Sequence, residues 1–203
     1  MNQRLGARGI HVNVEDLLTA AKAEMGRLKI ARVPTNLRAQ AAQVLESLDT
    51  QAIRHVELSG PNANCIGDPA RVRQVVRNLL TNAHRYGGDP IWIQVSQGPS
   101  TGRVTVTDNG PGIPIEKVEQ AFLPYHRSTP TEGLAAALGI GLPISRNLAR
   151  LMHGDLTYEY VDGQARFELT LPLAEPESPQ VAVHSSAASS GSKVRSMSQA
   201  ANR

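Results

Sequence analysis

The sequence predicts an α+β fold, a two-layer α/β sandwich in which helices cover one face of a mixed, mostly antiparallel sheet. Alternating apolar and polar residues at 91–96 and 103–107, joined by a Gly-Pro-Ser turn, are typical of a β-hairpin. A second pair of predicted strands, 156–160 and 165–171, lies on either side of an Asp-Gly turn. Helical patterns occur between and before these pairs without the regular strand–helix alternation of a parallel sheet, which favours hairpins covered by helices.

Apolar residues spaced three or four apart predict the helices. They are expected at 14–30, at 36–52, from Asp68-Pro69 to Gly87-Gly88 and at 142–152, with a short helix near 115–121. Asp68 is suited to cap its helix, and Pro69 fits the first helical position because proline needs no amide partner there. Pro34 is expected to end the first helix, and one further short strand is predicted at 55–58.

Composition predicts three parts: an N-terminal segment at 1–33, a domain at 34–173 and a disordered tail at 174–203, where Ser, Ala, Gln and Pro predominate. Hydrophobic residues make up 40% and charged residues 19%, which fits a soluble globular core. The formal charge of +3 does not by itself favour nucleic acid. The single cysteine, Cys65, excludes an internal disulfide and indicates a reducing, cytoplasmic location. No apolar run reaches the roughly 18 residues of a membrane span.

A first polar group lies on the helix that begins at Pro69. Asn78 and Asn82 are four residues apart, so their amides project from one face, and Arg85 shares that side. Amides in an apolar helical stretch are costly unless they find partners, and Mg²⁺ accepts amide oxygens together with phosphate oxygens. The pair therefore fits a magnesium and phosphate site, or alternatively two amides that cap or cross-link loops.

A second group, Asp108 to Gly112, follows a predicted strand. Gly110 and Gly112 lack side chains and let a flat ligand approach the backbone, while the Asp108 carboxylate can accept a hydrogen bond from an exocyclic amine such as that of adenine. The alternative is a tight Asp-Asn-Gly turn.

A third group, Gly139-Ile140-Gly141-Leu142, opens the last predicted helix. Backbone amides at a helix N-terminus after glycines suit phosphate binding. The segment lacks the P-loop pattern and follows no strand directly, which argues against a P-loop and against a dinucleotide fold.

The three groups, in this order, resemble the N, G1 and G2 boxes of the Bergerat ATP-binding fold. That fold is shared by histidine kinases, gyrase-type topoisomerases, heat-shock chaperones and mismatch-repair ATPases. Residues 122–127, Phe-Leu-Pro-Tyr-His-Arg, resemble the F box of the kinases. Residues 15–28 are similar to the end of the second helix of a kinase dimerisation hairpin. The resemblance to the catalytic and ATP-binding domain of sensor histidine kinases covers about residues 34–173.

The resemblance implies ATP and Mg²⁺ as cofactors. Asn82 would ligate Mg²⁺, and Asn78 would support the metal or the phosphates. Asp108 would read the adenine amine, and Arg127, in a lid over about 115–138, would reach the γ-phosphate. The other residues implied to contact ATP are Arg85, Tyr86, Gly110, Gly112, Gly139, Ile140, Gly141 and Leu142. Four positions depart from the family pattern. Ala137 and His153 stand where relatives often have glycine, Tyr125 replaces the second Phe of the F box, and Arg85 stands where the family often has Lys.

The residue type at position 78 distinguishes members of this superfamily by the reaction that they catalyse. The ATP-hydrolysing members, and related serine kinases, place glutamate four residues before the metal-binding asparagine as a general base. An amide cannot take a proton, whereas a neutral imidazole nucleophile already offers a lone pair. Asn78 therefore favours phosphoryl transfer to histidine over ATP hydrolysis.

The acceptor histidine is expected on another chain; the alternative is that this chain is a truncated gene product. None of the six histidines stands in the kinase pattern His-Glu/Asp-Leu-Arg/Lys-x-Pro. The expected partners are a His-box dimerisation protein or domain and a downstream response regulator, without nucleic acid. The apolar stripe of 14–30 is a candidate docking helix, or it folds back on its own domain. The alternative function is a catalytically silent nucleotide-binding regulatory module of the same fold.

Overall fold

A computed structural model of the chain describes residues 27–48, 56–123 and 141–175. The helices are α1 (Leu37–Ser47), α2 (Pro69–Tyr86), α3 (Val118–Ala121) and α4 (Gly141–Leu151), and a 3₁₀ turn at Ile115–Lys117 leads into α3. The strands are β1 (Val33–Asn36), β2 (Val56–Ser59), β3 (Asn64–Gly67), β4 (Ile91–Gln97), β5 (Thr101–Asp108), β6 (Asp155–Val161) and β7 (Gln164–Pro172). None of the helices in these ranges is long and apolar enough to cross a membrane.

The main sheet has five strands in the order β2-β4-β5-β7-β6. Strand β2 is parallel to β4, and every other neighbouring pair is antiparallel. Both predicted hairpins are confirmed, β4–β5 and β6–β7. The turn of the second has positive φ at both central residues, Asp162 (53°) and Gly163 (78°), which is the backbone that a tight two-residue hairpin needs. The mixed, mostly antiparallel sheet is thus confirmed.

The helices cover one face of this sheet, so the predicted two-layer arrangement is confirmed. Alternate residues of β7 divide between the faces: Ala165, Phe167, Leu169 and Leu171 are buried, whereas Gln164, Arg166, Glu168 and Thr170 are only partly so. Leu37, Leu79 and Leu148, one from each long helix, complete the core with no exposed surface. Arg166, one of the partly exposed residues of β7, forms an ion pair with Glu159 of β6 at 2.9 Å. The sheet face that the helices do not cover is therefore polar at this point.

Helix α2 follows the prediction closely. The Asp68 carboxylate accepts hydrogen bonds from the amides of Ala70 (2.9 Å) and Arg71 (3.3 Å), and Pro69 occupies the first turn. The helix ends at Gly87. Asp68 also has a second role that the sequence did not indicate, because its other carboxylate oxygen accepts from the Ala31 amide at 3.0 Å. One side chain therefore joins the N-terminal segment to the start of α2.

The structure differs from the prediction in the N-terminal part. Residues 27–30, expected as the end of a helix, are irregular, and Leu28 and Ile30 pack against the core. The rest of that predicted helix, the expected extension of α1 over 49–52 and the predicted tail beyond 175 lie outside the described residues.

Strands β1 and β3 were not predicted, because their sequences, Val-Pro-Thr-Asn and Asn-Cys-Ile-Gly, do not alternate apolar and polar residues as the predicted strand at 55–58 does. Pro34, expected to end a helix, lies in β1 opposite Ile66. A two-stranded ribbon consists only of edges, where proline is tolerated.

Cys65 lies in β3 and is fully buried, and this burial raises the pKa of its thiol from 9.0 to about 11. The unfolded thiol ionises first as pH rises, so the stability that the buried thiol contributes is complete below pH 9.0 and is lost towards about 11. We expect the stability advantage of the wild type over Cys65→Ala to shrink by roughly 2 kcal/mol across this window. Urea unfolding of both proteins at the two ends of the window measures it, and an unchanged difference would contradict the assignment.

His153 follows α4 with a φ of 62°, in the left-handed region that favours glycine. Its amide donates to the Arg150 carbonyl, and the Gly154 amide donates to the Ala149 carbonyl, both at 2.9 Å, which is the hydrogen-bond pattern of a Schellman motif. The His153 side chain is exposed. We expect His153→Gly to stabilise the fold by about 0.5–1 kcal/mol, seen as a rise in Tm, and His153→Ala to give no such gain. A lower Tm for the glycine variant would show that the side chain contributes instead.

Candidate functional site

Helix α2 places Asn78 and Asn82 one turn apart on the same side, as the spacing predicted. Both side chains are half-buried. The core-facing side of α2 is formed by Val72, Val75, Val76, Leu79, Leu80 and Ala83. Gln74 is the one polar residue among the buried residues of α2, so the two amides flank a mostly apolar stripe and are held in place by the packing of the helix.

The Asn78 amide contacts the start of α4. Its Nδ2 donates to the carbonyl oxygen of Gly141 at 3.4 Å and to Oγ of Ser145 at 3.2 Å. A backbone carbonyl can only accept, so the NH₂ group faces α4 and the Oδ1 oxygen faces away from it. This contact joins the first and third of the predicted polar groups.

Asn82 has a different environment. Its side chain makes no hydrogen bond with any residue that the structure describes. Arg85, in the last turn of α2, is half-buried, and Tyr86 is 42% exposed. These side chains are therefore available to a ligand beside α2.

Asp108 ends β5 and is only 2% exposed. Its Oδ1 accepts a hydrogen bond from the Gly110 amide at 2.8 Å, and the backbone of Gly88 is a second partner. Burial raises the pKa of this carboxyl, and the two backbone hydrogen bonds offset only part of that effect. No ion pair in the described ranges includes Asp108. A buried carboxylate without a cation fits the binding of a further neutral donor, such as the adenine amine.

The end of α2 lies directly against the loop after Asp108. A Cβ atom at Gly110 would come within 2.4 Å of the Gly87 Cα, and one at Gly87 would come within 2.4 Å of the Asp108 carboxyl carbon. The Asn109 amide also donates to the Gly88 carbonyl at 3.0 Å. Glycine at both positions is what permits this approach, which joins the first and second polar groups.

Gly112 is fixed against β6. Its φ is +70°, and a Cβ there would lie 2.6 Å from the Tyr158 hydroxyl oxygen and 2.4 Å from Cδ2 of Tyr160. The Tyr158 hydroxyl accepts a hydrogen bond from the Ile113 amide at 2.7 Å. The loop that follows Asp108 is thus held by strand side chains and by a backbone shape that suits glycine.

Phe122, the first residue of the F-box resemblance, is 9% exposed and lies under Arg146 of α4, whose guanidinium carbon is 4.6 Å from the ring centroid. Arg146 also pairs with Asp155 at 3.2 Å and with Glu119 at 3.7 Å. This side chain ties α3 and the start of β6 to α4.

Most of the predicted site is brought together, with α2 between the other two groups. Gly141 and Leu142 form the first turn of α4, where Leu142 packs against the core. Gly139, Ile140 and Arg127 lie outside the described residues.

Sequence reasoning missed three residues: Ser145, Arg146 and the steric role of Gly87. Ser145 interrupts the apolar stripe of α4, which was the one signal available for it. Nothing in the sequence marked Arg146 or the closeness of Gly87 to Asp108.

The donor atoms bear on which metal would fit. Among the described residues, no group of three or more His, Cys, Asp or Glu side chains is arranged to hold a metal ion. The oxygen donors that Asn78 and Asn82 offer on α2 are those of amides. Such a site suits Mg²⁺, which binds few protein ligands and takes phosphate oxygens and waters for the rest. It does not suit zinc, which needs a nitrogen, sulfur or carboxylate set.

Comparisons with known proteins agree with this geometry. A family model described as "Histidine kinase-, DNA gyrase B-, and HSP90-like ATPase" matches residues 67–175. The chain is 32% identical over 166 residues to the Probable sensor histidine kinase TcrY of Mycobacterium tuberculosis, which covers 79% of this chain and 35% of TcrY. The chain spans less than half the length of the first curated relatives that it matches.

Two solved structures share the fold. The nucleotide-free catalytic domain of histidine kinase ThkA is 25% identical, with a TM-score of 0.60, covering 72% of this chain and 99% of that one. Full-length ShkA in complex with AMPPNP is 22% identical, with a TM-score of 0.66, covering 82% of this chain and 36% of that one. From the family match and the placement of the three polar groups around α2, the chain belongs to the histidine kinase-, DNA gyrase B- and HSP90-like ATPase family, with sensor histidine kinases among its relatives.

Proposed function

We propose that the chain is the ATP-binding catalytic domain of a two-component histidine kinase, and that it transfers the γ-phosphate of ATP to a histidine on a separate polypeptide. The observation that carries the choice of reaction is Asn78. It stands where hydrolysing relatives have a glutamate base, and its amide is engaged with Gly141 and Ser145. A group that cannot accept a proton does not activate water, whereas an imidazole nucleophile needs no such help.

ATP would bind with its adenine at Asp108 and its phosphates towards α4. The carboxylate of Asp108 would accept a hydrogen bond from the exocyclic amine, next to Gly110 and Gly112. Arg85 and Tyr86 would contact phosphates and sugar, and the amides at the start of α4 would bind phosphate oxygens, helped by the helix dipole. ShkA, whose fold this chain shares, is a complex with AMPPNP, which supports an adenine nucleotide as the ligand class.

Mg²⁺ would be held by Asn82, with Asn78 in support. The ion, when bound, neutralises charge on the phosphates during transfer. Asn82 suits this role because its side chain has no hydrogen-bond partner in the described part of the chain. Arg127 would contact the γ-phosphate and stabilise the charge of the transferring group.

The partner would be a His-box dimerisation protein or domain, and a response regulator would take the phosphoryl group from it. We infer a cytoplasmic setting, where ATP is supplied and the Cys65 thiol stays reduced. Sensor histidine kinases such as TcrY combine the same domain type with further sequence that this chain does not span.

Radiolabelled ATP with Mg²⁺ tests the proposal when the chain is incubated alone and together with a His-box hairpin from a related sensor kinase. We expect the hairpin to be labelled only when the chain is present, with the acid-labile bond of phosphohistidine. A hairpin with its histidine replaced by glutamine is the control and should stay unlabelled.

The other outcomes each identify a competing function. Strong labelling of the chain by itself would refute a separate acceptor. Nucleotide binding without transfer would support the silent regulatory module, and rapid phosphate release without a partner would support a hydrolysing ATPase.

A further inference from the structure

Ser145 is a polar side chain in an otherwise apolar setting. It lies on α4 with no exposed surface, and its helix neighbours Ile144, Leu148 and Ala149 belong to the buried core. Burying a hydroxyl costs free energy unless it makes a hydrogen bond. The partner that the structure gives it is Nδ2 of Asn78, at 3.2 Å.

This contact determines which way the Asn78 amide faces. Asn78 has two N–H donors, and they meet two acceptors on α4, the Gly141 carbonyl and the Ser145 hydroxyl. Because both donors are used there, the carbonyl oxygen of the amide has to face the other way. The Gly141 contact is long, at 3.4 Å, so the Ser145 contact at 3.2 Å is the better of the two.

We propose that Ser145 is a positioning residue for binding of the magnesium nucleotide: it holds the Asn78 amide so that Oδ1 is presented to the metal and its phosphates. This inference rests on the proposed function, because it needs a magnesium nucleotide beside α2. It adds a residue outside the three polar groups, and it couples the orientation of a metal-side amide to the helix that begins at Gly141.

A packing role alone does not account for the hydroxyl. Helix α2 packs against α4, and the core already has Leu79 on α2 and Ile144 and Leu148 on α4 as buried apolar side chains. An alanine at 145 would fill nearly the same volume in that layer. The specific consequence of removing Oγ is that one Asn78 donor loses its acceptor and the amide is free to rotate.

The test measures, by calorimetry, the affinity of the Ser145→Ala variant for AMPPNP. The measurement is made at a series of Mg²⁺ concentrations and again in EDTA, where no metal is available. We expect the apparent affinity for Mg²⁺ in the presence of AMPPNP to fall about 5-fold, the loss expected for one neutral hydrogen bond, while metal-free AMPPNP binding is unchanged. Ile144→Val, a change of similar severity in the same helix that removes no hydroxyl, is the matched control and should leave the Mg²⁺ dependence as it is.

A double-mutant cycle shows whether Ser145 acts through Asn78. In the Asn78→Ala background, Ser145→Ala should produce no further change in Mg²⁺ affinity. The inference is overturned if Ser145→Ala keeps wild-type Mg²⁺ affinity, if it weakens binding equally with and without the metal, or if its effect persists in full without Asn78. A wild-type chain without any magnesium-dependent binding would overturn the proposed function as well, so the two failures are distinguishable.

Discussion

Replacing Asp108 with asparagine is expected to weaken binding of adenine nucleotides by at least about 30-fold, because a hydrogen bond to a charged acceptor is worth roughly 2 kcal/mol. The variant keeps the shape of the side chain, but one carboxylate oxygen becomes an NH₂ group. With the amide of Gly110 donating at 2.8 Å, the remaining oxygen already has a partner, so the new NH₂ group would face the adenine amine. Calorimetry with AMPPNP measures the change.

The stability of Asp108→Asn shows whether its weaker nucleotide binding comes from a lost contact or from a folding defect. Burial raises the pKa of Asp108, so its contribution to stability is present below the ordinary value of 3.8 and is lost as pH rises through the raised pKa. Ionisation of this buried carboxyl therefore works against folding, and replacing it with a neutral amide should not weaken the fold. We expect Asp108→Asn to retain a folded domain and to lose the ligand. Asp162→Asn, in the exposed hairpin turn, is the matched control and should bind as the wild type does. Unchanged affinity in Asp108→Asn would contradict the adenine assignment.

Replacing Asn82 with alanine should weaken the magnesium-dependent part of nucleotide binding strongly, by at least the roughly 10- to 100-fold loss in metal affinity that follows removal of an outer-shell partner. Asn82 is one turn beyond Asn78, and its amide makes no hydrogen bond with the described residues, so its removal should leave no partner unsatisfied there. The Tm without ligand should therefore change little. A Mg²⁺ titration in the presence of AMPPNP measures the loss.

Asn62→Ala is the matched control for Asn82, because Asn62 is an exposed asparagine in the loop between β2 and β3 and makes no hydrogen bond with the described part of the chain. It should titrate with Mg²⁺ as the wild type does. If Asn82→Ala responds to Mg²⁺ like this control, the metal is held elsewhere.

Local signals were enough to predict most of the fold. The β6–β7 hairpin has two alternating strands and a turn whose residues tolerate positive φ, and α2 has both a capping aspartate and a first-turn proline. These signals depend on neighbours in the sequence, so they can be interpreted without the fold. Strands β1 and β3 carry no such signal, because neither has an alternating pattern and each pairs with a segment about 30 residues away.

In the candidate site, too, the features marked by local sequence were predicted and those that depend on tertiary packing were not. The order of the three polar groups placed Asn78, Asp108 and Gly141, but it did not show how α2 joins them. Asn78 and Ser145 are 67 residues apart in sequence, and their contact exists only because α2 packs beside α4. The sequence indicated Gly87 as a helix end, whereas its closeness to the Asp108 carboxyl follows from the tertiary packing.

Calorimetric titration of the purified chain with AMPPNP, in Mg²⁺ and then in EDTA, tests the central claim most directly. The account predicts saturable binding of one nucleotide per chain that weakens when the metal is removed, and that is retained with ADP but lost when the base carries no exocyclic amine at the adenine position. Absence of binding to any adenine nucleotide in the presence of Mg²⁺, by a chain shown to be folded, would contradict it.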